Sequence, residues 1–187
     1  MNPDLQPTLT GPTITLRPLV AGDLEDLHQA AADPAIWAQH PDSERYRRDV
    51  FEINFFAGAL ACGGALVAVN NRSGALLGSS RYYDWDPGTR EIAVGYTFLV
   101  RDCWGTGTNT EMKALMLGHA FGFASAVWFH IGSDNLRSRR AIEKLGAALV
   151  REEQAPLNGG SFTRLFYVLE PSRAILPTAG DAGTGPR

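Results

Sequence analysis

The 187 residues hold only two cysteines, no excess of positive charge and no long apolar run. Each shortage excludes a class of protein. Cys62 and Cys103 stand in unrelated contexts, at no metal-ligand spacing, which fits free thiols in a reducing compartment better than a disulfide framework. Seventeen Lys and Arg against twenty Asp and Glu leave a net charge of −3, without the bulk positive field that holds nucleic acid by counterion release. The strongly apolar stretches reach only about ten residues, too few for a membrane span. The opening MNPDLQPTLTGPT has neither the charged n-region nor the h-region of a secretory signal. A cytoplasmic protein without nucleic-acid or membrane partners is expected. What the chain does have is 44% apolar residues, enough for one domain with a proper core.

Residues 1–12 and 172–187 are rich in Pro, Gly, Thr and other small residues and read as flexible tails, which leaves 13–171 as the single domain. Thr13 to Pro18 alternates as a half-buried strand does, and Asp23 opens a helix with the stripe Leu24, Leu27, His28 and Ala31. Ser43 to Ala61 carries Tyr46, Val50, Ile53, Ala57 and Leu60 on one helical face and ends at Gly63-Gly64. Three strand-like runs follow, at Ala65 to Val69, Ala75 to Trp85 and Glu91 to Val100, with short turn-rich breaks that imply an antiparallel meander. After Val100 helix and strand alternate, as a sheet covered by helices requires. Met112, Leu115, Met116, His119 and Phe123 form a helical stripe behind a Thr108/Glu111 capping-box spacing. Ala126 to Ile131 is a strand, Leu136 to Leu145 a helix, and Ala147 to Arg151 with Phe162 to Leu169 the last two strands. The order β-α-α-β-β-β-α-β-α-β-β predicts an α/β (α+β) fold: a mixed, mostly antiparallel sheet of seven strands flanked by four helices.

The most informative segment is Val100 to Lys113, VRDCWGTGTNTEMK, where a strand passes through Trp104-Gly105-Thr106-Gly107 into a helix start. Two glycines let successive N–H groups curl into one concavity, and the helix dipole adds partial positive charge, so the turn suits a phosphate or pyrophosphate. A plain tight turn explains the same letters. Neither nucleotide motif fits: no Gly-Lys-Ser/Thr follows, and Thr110 stands where a dinucleotide fingerprint has its third glycine.

Thirty residues on, Asn135-Leu136-Arg137-Ser138 leads into Ala141-Ile142-Glu143-Lys144-Leu145-Gly146. With Leu16-Arg17-Pro18 before an acidic helix start, Tyr83-Asp84, Gly95-Tyr96-Thr97 and the Trp-Gly-x-Gly turn, this order of motifs resembles the GNAT acetyltransferases, and in particular their branch of ribosomal-protein N-terminal acetyltransferases. The resemblance implies acetyl-CoA as cosubstrate, an amine acceptor, no metal and a homodimer as one possible assembly. It implies that Phe98, Leu99 and Val100 offer backbone groups to the pantetheine. N–H groups of Gly105, Thr106, Gly107, Thr108, Asn109 and Thr110 would hold the pyrophosphate. Asn135 would bond the pantetheine, or cap its helix, or both. Arg137, Arg139 and Arg140 would stand near the adenosine phosphates, or simply form a solvated face.

The departures matter as much. Relatives often place a tyrosine acid seven residues after the asparagine; here it is Ile142, so Ser138, one turn after the cap, becomes the candidate that protonates the leaving thiolate. Relatives commonly carry a carboxylate where this chain has Ala93. Glu91, two residues upstream on the same strand face, is the candidate base, acting directly or through a water. The face of His130 is left open, and His119 reads as a core histidine. The expected activity is direct attack of a primary amine, from a small molecule or a protein N-terminus, on the thioester. The alternative is a CoA-binding sensor that has lost turnover.

Overall fold

The computed structural model describes residues 2–157 and 160–176. Its eight strands form one sheet in the order β1-β2-β3-β4-β5-β6-β8-β7. They are β1 (Leu9–Thr10), β2 (Ile14–Pro18), β3 (Ala65–Asn70), β4 (Leu76–Asp86), β5 (Glu91–Leu99), β6 (Ala126–Gly132), β7 (Ala148–Leu157) and β8 (Gly160–Leu169). Every pairing is antiparallel except that of β5 with β6. The strand beyond the seven expected is β1, which falls in the segment read as a tail. Leu9 sits opposite Leu16 and, with Leu5, packs on the core, so apolar residues anchor a stretch whose composition suggested fraying. At the other end Ile175 donates its N–H to Leu145 O at 2.9 Å, and Ala174 and Leu176 touch the core. The rest of that expected tail, 177–187, lies outside the described residues.

The two faces of the sheet are covered differently. One carries α5 (Thr108–Ala120) and α6 (Leu136–Glu143), packed through Met112, Met116, Leu117 and Ile142 on Leu66, Ile92, Val94 and Val127. The other carries α1 (Leu24–Ala31), α2 (Pro34–Trp37) and a helix made of α3 (Arg48–Phe51), a π-turn (Glu52–Phe56) and α4 (Ala57–Ala61). Here the stripe anticipated from Val50, Ile53, Ala57 and Leu60 does not face the core. Ile53 is 73% exposed, while Phe51, Phe55, Phe56 and Ala59 are buried against Trp37 and Phe98. This helix has apolar residues on two faces, and the larger aromatic rings take the interior because they remove more surface from water. The π-turn shifts the helical phase enough to bury Phe55 and Phe56 together. Arg17 forks onto both Asp23 oxygens at 2.7 and 2.8 Å, which fixes β2 against the start of α1.

Candidate active site

β5 and β6 pair over only three positions, Glu91–Ala93 with Ala126–Trp128. Past Ala93 they diverge where β5 bulges against β4. Ser79 faces Phe98 and Arg81 faces Gly95, so β5 takes one residue more than β4 over this interval. Tyr96, in the bulge, has φ 51°. The strands open into a cleft of about 1300 Å³, lined by the free edge of β5, the far half of β6, the starts of α5 and α6, and α2 with the segment after it.

At the mouth, Gly105 and Gly107 adopt φ 76° and 92°. A Cβ on either would meet nothing within 4 Å, so backbone conformation rather than space calls for glycine. The Thr106 hydroxyl donates to Cys103 O and meets the Thr108 hydroxyl, each at 2.8 Å. The anticipated capping box is absent. Gly107 is the N-cap and supplies no side chain, while Glu111 turns to β2 and accepts the N–H groups of Thr13 and Ile14 at 2.8 and 3.1 Å together with the Thr13 hydroxyl. Thr108 already lies inside the helix, and β2 offers Glu111 three donors. The N–H groups of Thr108, Asn109 and Thr110 therefore have no partner among the described residues. Such a helix start stabilises anionic oxygen. Gly105, Gly107, Asn109 and Thr110 line the cleft.

Across the cleft, Asn135 caps α6 by accepting the Ser138 N–H at 3.1 Å, and both residues line the cleft. Ile142 is 4% exposed and packed in the core. The three arginines do different things. Arg137 lies 3.9 Å over the Trp104 ring and donates to Ile36 O at 2.8 Å, tying α6 to the glycine turn and to α2. Arg139 faces away from the cleft, bonded to Tyr167 and Ser133 O, so it does not stand with the phosphate-side group. Arg140 lines the cleft with Lys144. Along β5, Phe98 and Leu99 line the cleft, but Leu99 O accepts the Trp104 indole at 3.2 Å. Val100 gives its N–H to Leu77 O at 2.8 Å, turned toward β4. The edge left for a ligand thus lies between Val94 and Phe98.

Glu91 is not brought to the cleft. It sits where β5 and β6 are still paired and accepts the Trp128 indole N–H at 3.0 Å. Period-two geometry does put it on the face of Ala93, but the strands have not yet separated there. The groups that do face the cleft on that side are Tyr83, Asp84 and His130. The Tyr83 hydroxyl lies 3.1 Å from His130 Nδ1. Burial lowers the His130 pKa, Asp84 opposes this, and Arg164 and Arg151 add to it, so the imidazole is neutral near pH 7. Strand alternation held this answer: Phe129 and Ile131 are both buried on the α5 face, which leaves His130 on the other. Lys113 has no such signal, because it interrupts an apolar stripe. It is 5% exposed, with Nζ 2.6 Å from Thr97 Oγ1 at the bulge, and burial pulls its amine down to about 7. His119 is a packing residue, tilted against Tyr82, edge-on to Phe123 and bonded to Asp4 O.

One parallel pair splayed by a bulge, with a helix start lacking a side-chain cap at its mouth, defines the architecture of the cleft. The acetyltransferase (GNAT) domain model matches residues 13–148, and the chain belongs to this family. Solved structures agree on the fold. A GCN5-related N-acetyltransferase from Brucella melitensis superposes with a TM-score of 0.80 at 17% identity, over 90% of this chain and 80% of that one. A spermidine N-acetyltransferase from Vibrio cholerae, in complex with CoA and spermine, gives 0.67 at 16% identity over 86% and 97%. A Vibrio cholerae protein provisionally assigned as a ribosomal-protein-serine acetyltransferase gives 0.69 at 14% over 91% and 100%. No curated protein sequence matches the chain. The family uses acetyl-CoA and acetylates amines. Among the described residues no cluster of three or more His, Cys, Asp or Glu is placed to hold a metal, and no helix is long and apolar enough to cross a membrane.

Proposed function

We propose that the protein moves the acetyl group of acetyl-CoA onto a primary amine by direct attack within a ternary complex. The observation that carries this reading is the uncapped start of α5 at the mouth of the β5–β6 cleft, where unpartnered N–H groups meet a helix dipole. The pyrophosphate sits on the turn from Gly105 to Thr110, with Arg140 and Lys144 beside it. The pantetheine follows β5 at Val94 to Phe98 as an added strand would. Asn135 borders the arm while capping α6.

The amine must lose a proton before its lone pair can form the N–C bond. In this reading His130, neutral and supported by Tyr83, takes that proton, directly or through one water. As the N–C bond forms, charge moves to the carbonyl oxygen, which a strand N–H near the bulge steadies. The C–S bond then breaks, and the Ser138 hydroxyl relays a proton to the departing thiolate while taking one from solvent water. Closer kinship with ribosomal-protein N-terminal acetyltransferases rests on Leu16-Arg17-Pro18 and the Trp-Gly-x-Gly turn. The acceptor in this reading is a small-molecule amine or a protein N-terminus, and the setting is cytoplasmic.

The test is thiol release from acetyl-CoA across a panel of amines. Release that depends on the amine supports the transferase. Tight CoA binding with no release from any amine replaces it with a CoA-binding sensor.

A further inference from the structure

The far end of the cleft, away from the glycine turn, is bordered by more positive charge, two buried guanidiniums and one half-buried, than the protein neutralises there. Arg45, 8% exposed, gives Nε to Asp42 at 3.0 Å, while its Nη1 meets His40 Nε2 at 3.3 Å. That histidine is kept neutral, its pKa pulled to about 4 by burial and by Arg45 itself; with Nε2 accepting from Arg45, its Nδ1–H faces Asp42 O at 3.2 Å. Arg81, 6% exposed, lies 3.6 Å over the ring of Tyr96 and 5.3 Å from that of Phe55, with no carboxylate in salt-bridge range among the described residues. Arg164 enters from β8 onto the same wall, beside Tyr83 and His130, and likewise has no ion pair among the described residues. Three guanidiniums thus stand against Asp42, which is committed to Arg45, Glu153, which lies opposite Arg164 on β7 but is paired with Arg151, and Asp84, which is exposed. Aromatic faces shelter the cations but do not neutralise them. A guanidinium does not shed its proton, so in this low-dielectric wall the surplus calls for a ligand anion.

We propose that the acceptor amine carries a carboxylate, which Arg45 and Arg164 flank and which Arg81 attracts from behind Tyr96. This rests on the transferase reading above. It excludes polyamines as preferred acceptors, because a second ammonium in this wall would meet like charge. The carboxylate can be that of a free α-amino acid or the side chain of an acidic residue at a peptide N-terminus.

Thiol release with the intact protein at saturating acetyl-CoA separates these cases. The acceptors are an α-amino acid and its carboxamide, a peptide opening with Asp and the same peptide opening with Asn, and spermidine. The expected result is a kcat/KM about tenfold or more higher for one carboxylate member over its neutral partner. Which pair shows it identifies the source. Arg164→Gln, at a half-buried position, should collapse the ratio toward one with CoA affinity unchanged, as should the double variant Arg45→Met/Asp42→Asn, which leaves no buried orphan carboxylate. Equal rates within both pairs, or spermidine as the best acceptor, overturns the proposal and leaves the transferase standing. If no amine releases thiol although CoA binds, the transferase reading fails. Calorimetry on the CoA-bound protein then decides the carboxylate site: binding of the amino acid or Asp peptide over its neutral partner upholds it, and no difference overturns it.

Discussion

α5 and α6 both aim their first turns at one cleft, yet they end their backbones in opposite ways. α6 has its N-terminus closed by protein groups, because Asn135 puts a carboxamide oxygen on the Ser138 N–H and Gln39 puts another on the Arg137 N–H. α5 begins at a glycine with φ 92°, which has nothing to offer its own helix, and the nearest acidic side chain, Glu111, is spent on β2. One start is closed by carboxamide oxygens, while the other keeps N–H groups that have no partner among the described residues. The lesson is that an anion site can be made by withholding a cap, and that an Asn at the neighbouring start does not by itself indicate one.

The strongest way to break the comparison is to give α5 a carboxylate of its own. Gly107→Asp should lower CoA affinity about a hundredfold or more, since the new charge both caps the free N–H groups and repels the pyrophosphate. Calorimetry reads this, with circular dichroism to confirm the fold. On the other helix, Ser138→Ala removes a group assigned to the transition state alone. Turnover should fall about a hundredfold with CoA affinity within a factor of about two. Steady-state kinetics at saturating acetyl-CoA with unchanged kcat would remove Ser138 as the acid.

Lys113→Met addresses a second contrast within α5, whose first turn leaves N–H groups free while its second buries a charge. The folded amine has a pKa of about 7 against 10.5 unfolded, so between these values the unfolded chain binds more protons and stability rises with pH. Below pH 7 the folded protein carries the full penalty. The apolar variant should gain about 1–4 kcal/mol at pH 6.5 by urea unfolding. The gain should shrink by pH 10. The two hydroxyls left behind, Ser80 and Thr97, already bond each other at 2.7 Å. The smallest effect belongs to Asn135→Ala, which should cost about 1 kcal/mol of stability through the lost cap. A much larger loss of CoA affinity than of stability would show that the side chain also serves the pantetheine.

Much of the frame was legible because it rests on local patterns: the meander, the two later helices and the glycine turn each carry a periodicity or a breaker that reads without the fold. The helix from Arg48 to Ala61 is not legible in the same way, because two apolar faces compete there, and only tertiary packing plus a π-turn decide that Phe55 goes in and Ile53 out. Glu91 followed correct strand geometry to the wrong place, since sequence gives the face of a strand but not the point at which two strands part. The arginine wall was illegible for another reason. Arg45, Arg81 and Arg164 lie on a 3₁₀ turn, β4 and β8, and only the fold brings them together.

In the proposed complex the α5 start, and not the α6 start, receives the CoA phosphates. Backbone amide resonances followed during titration of the intact protein with CoA test it most directly, with pantetheine lacking phosphates as the control. The largest shifts are expected at Gly105 to Thr110 with CoA but not with pantetheine, with smaller phosphate-dependent shifts at Leu136 to Ser138. Equal shifts at both helix starts, or an unmoved Gly105 to Thr110 segment at saturation, would contradict it.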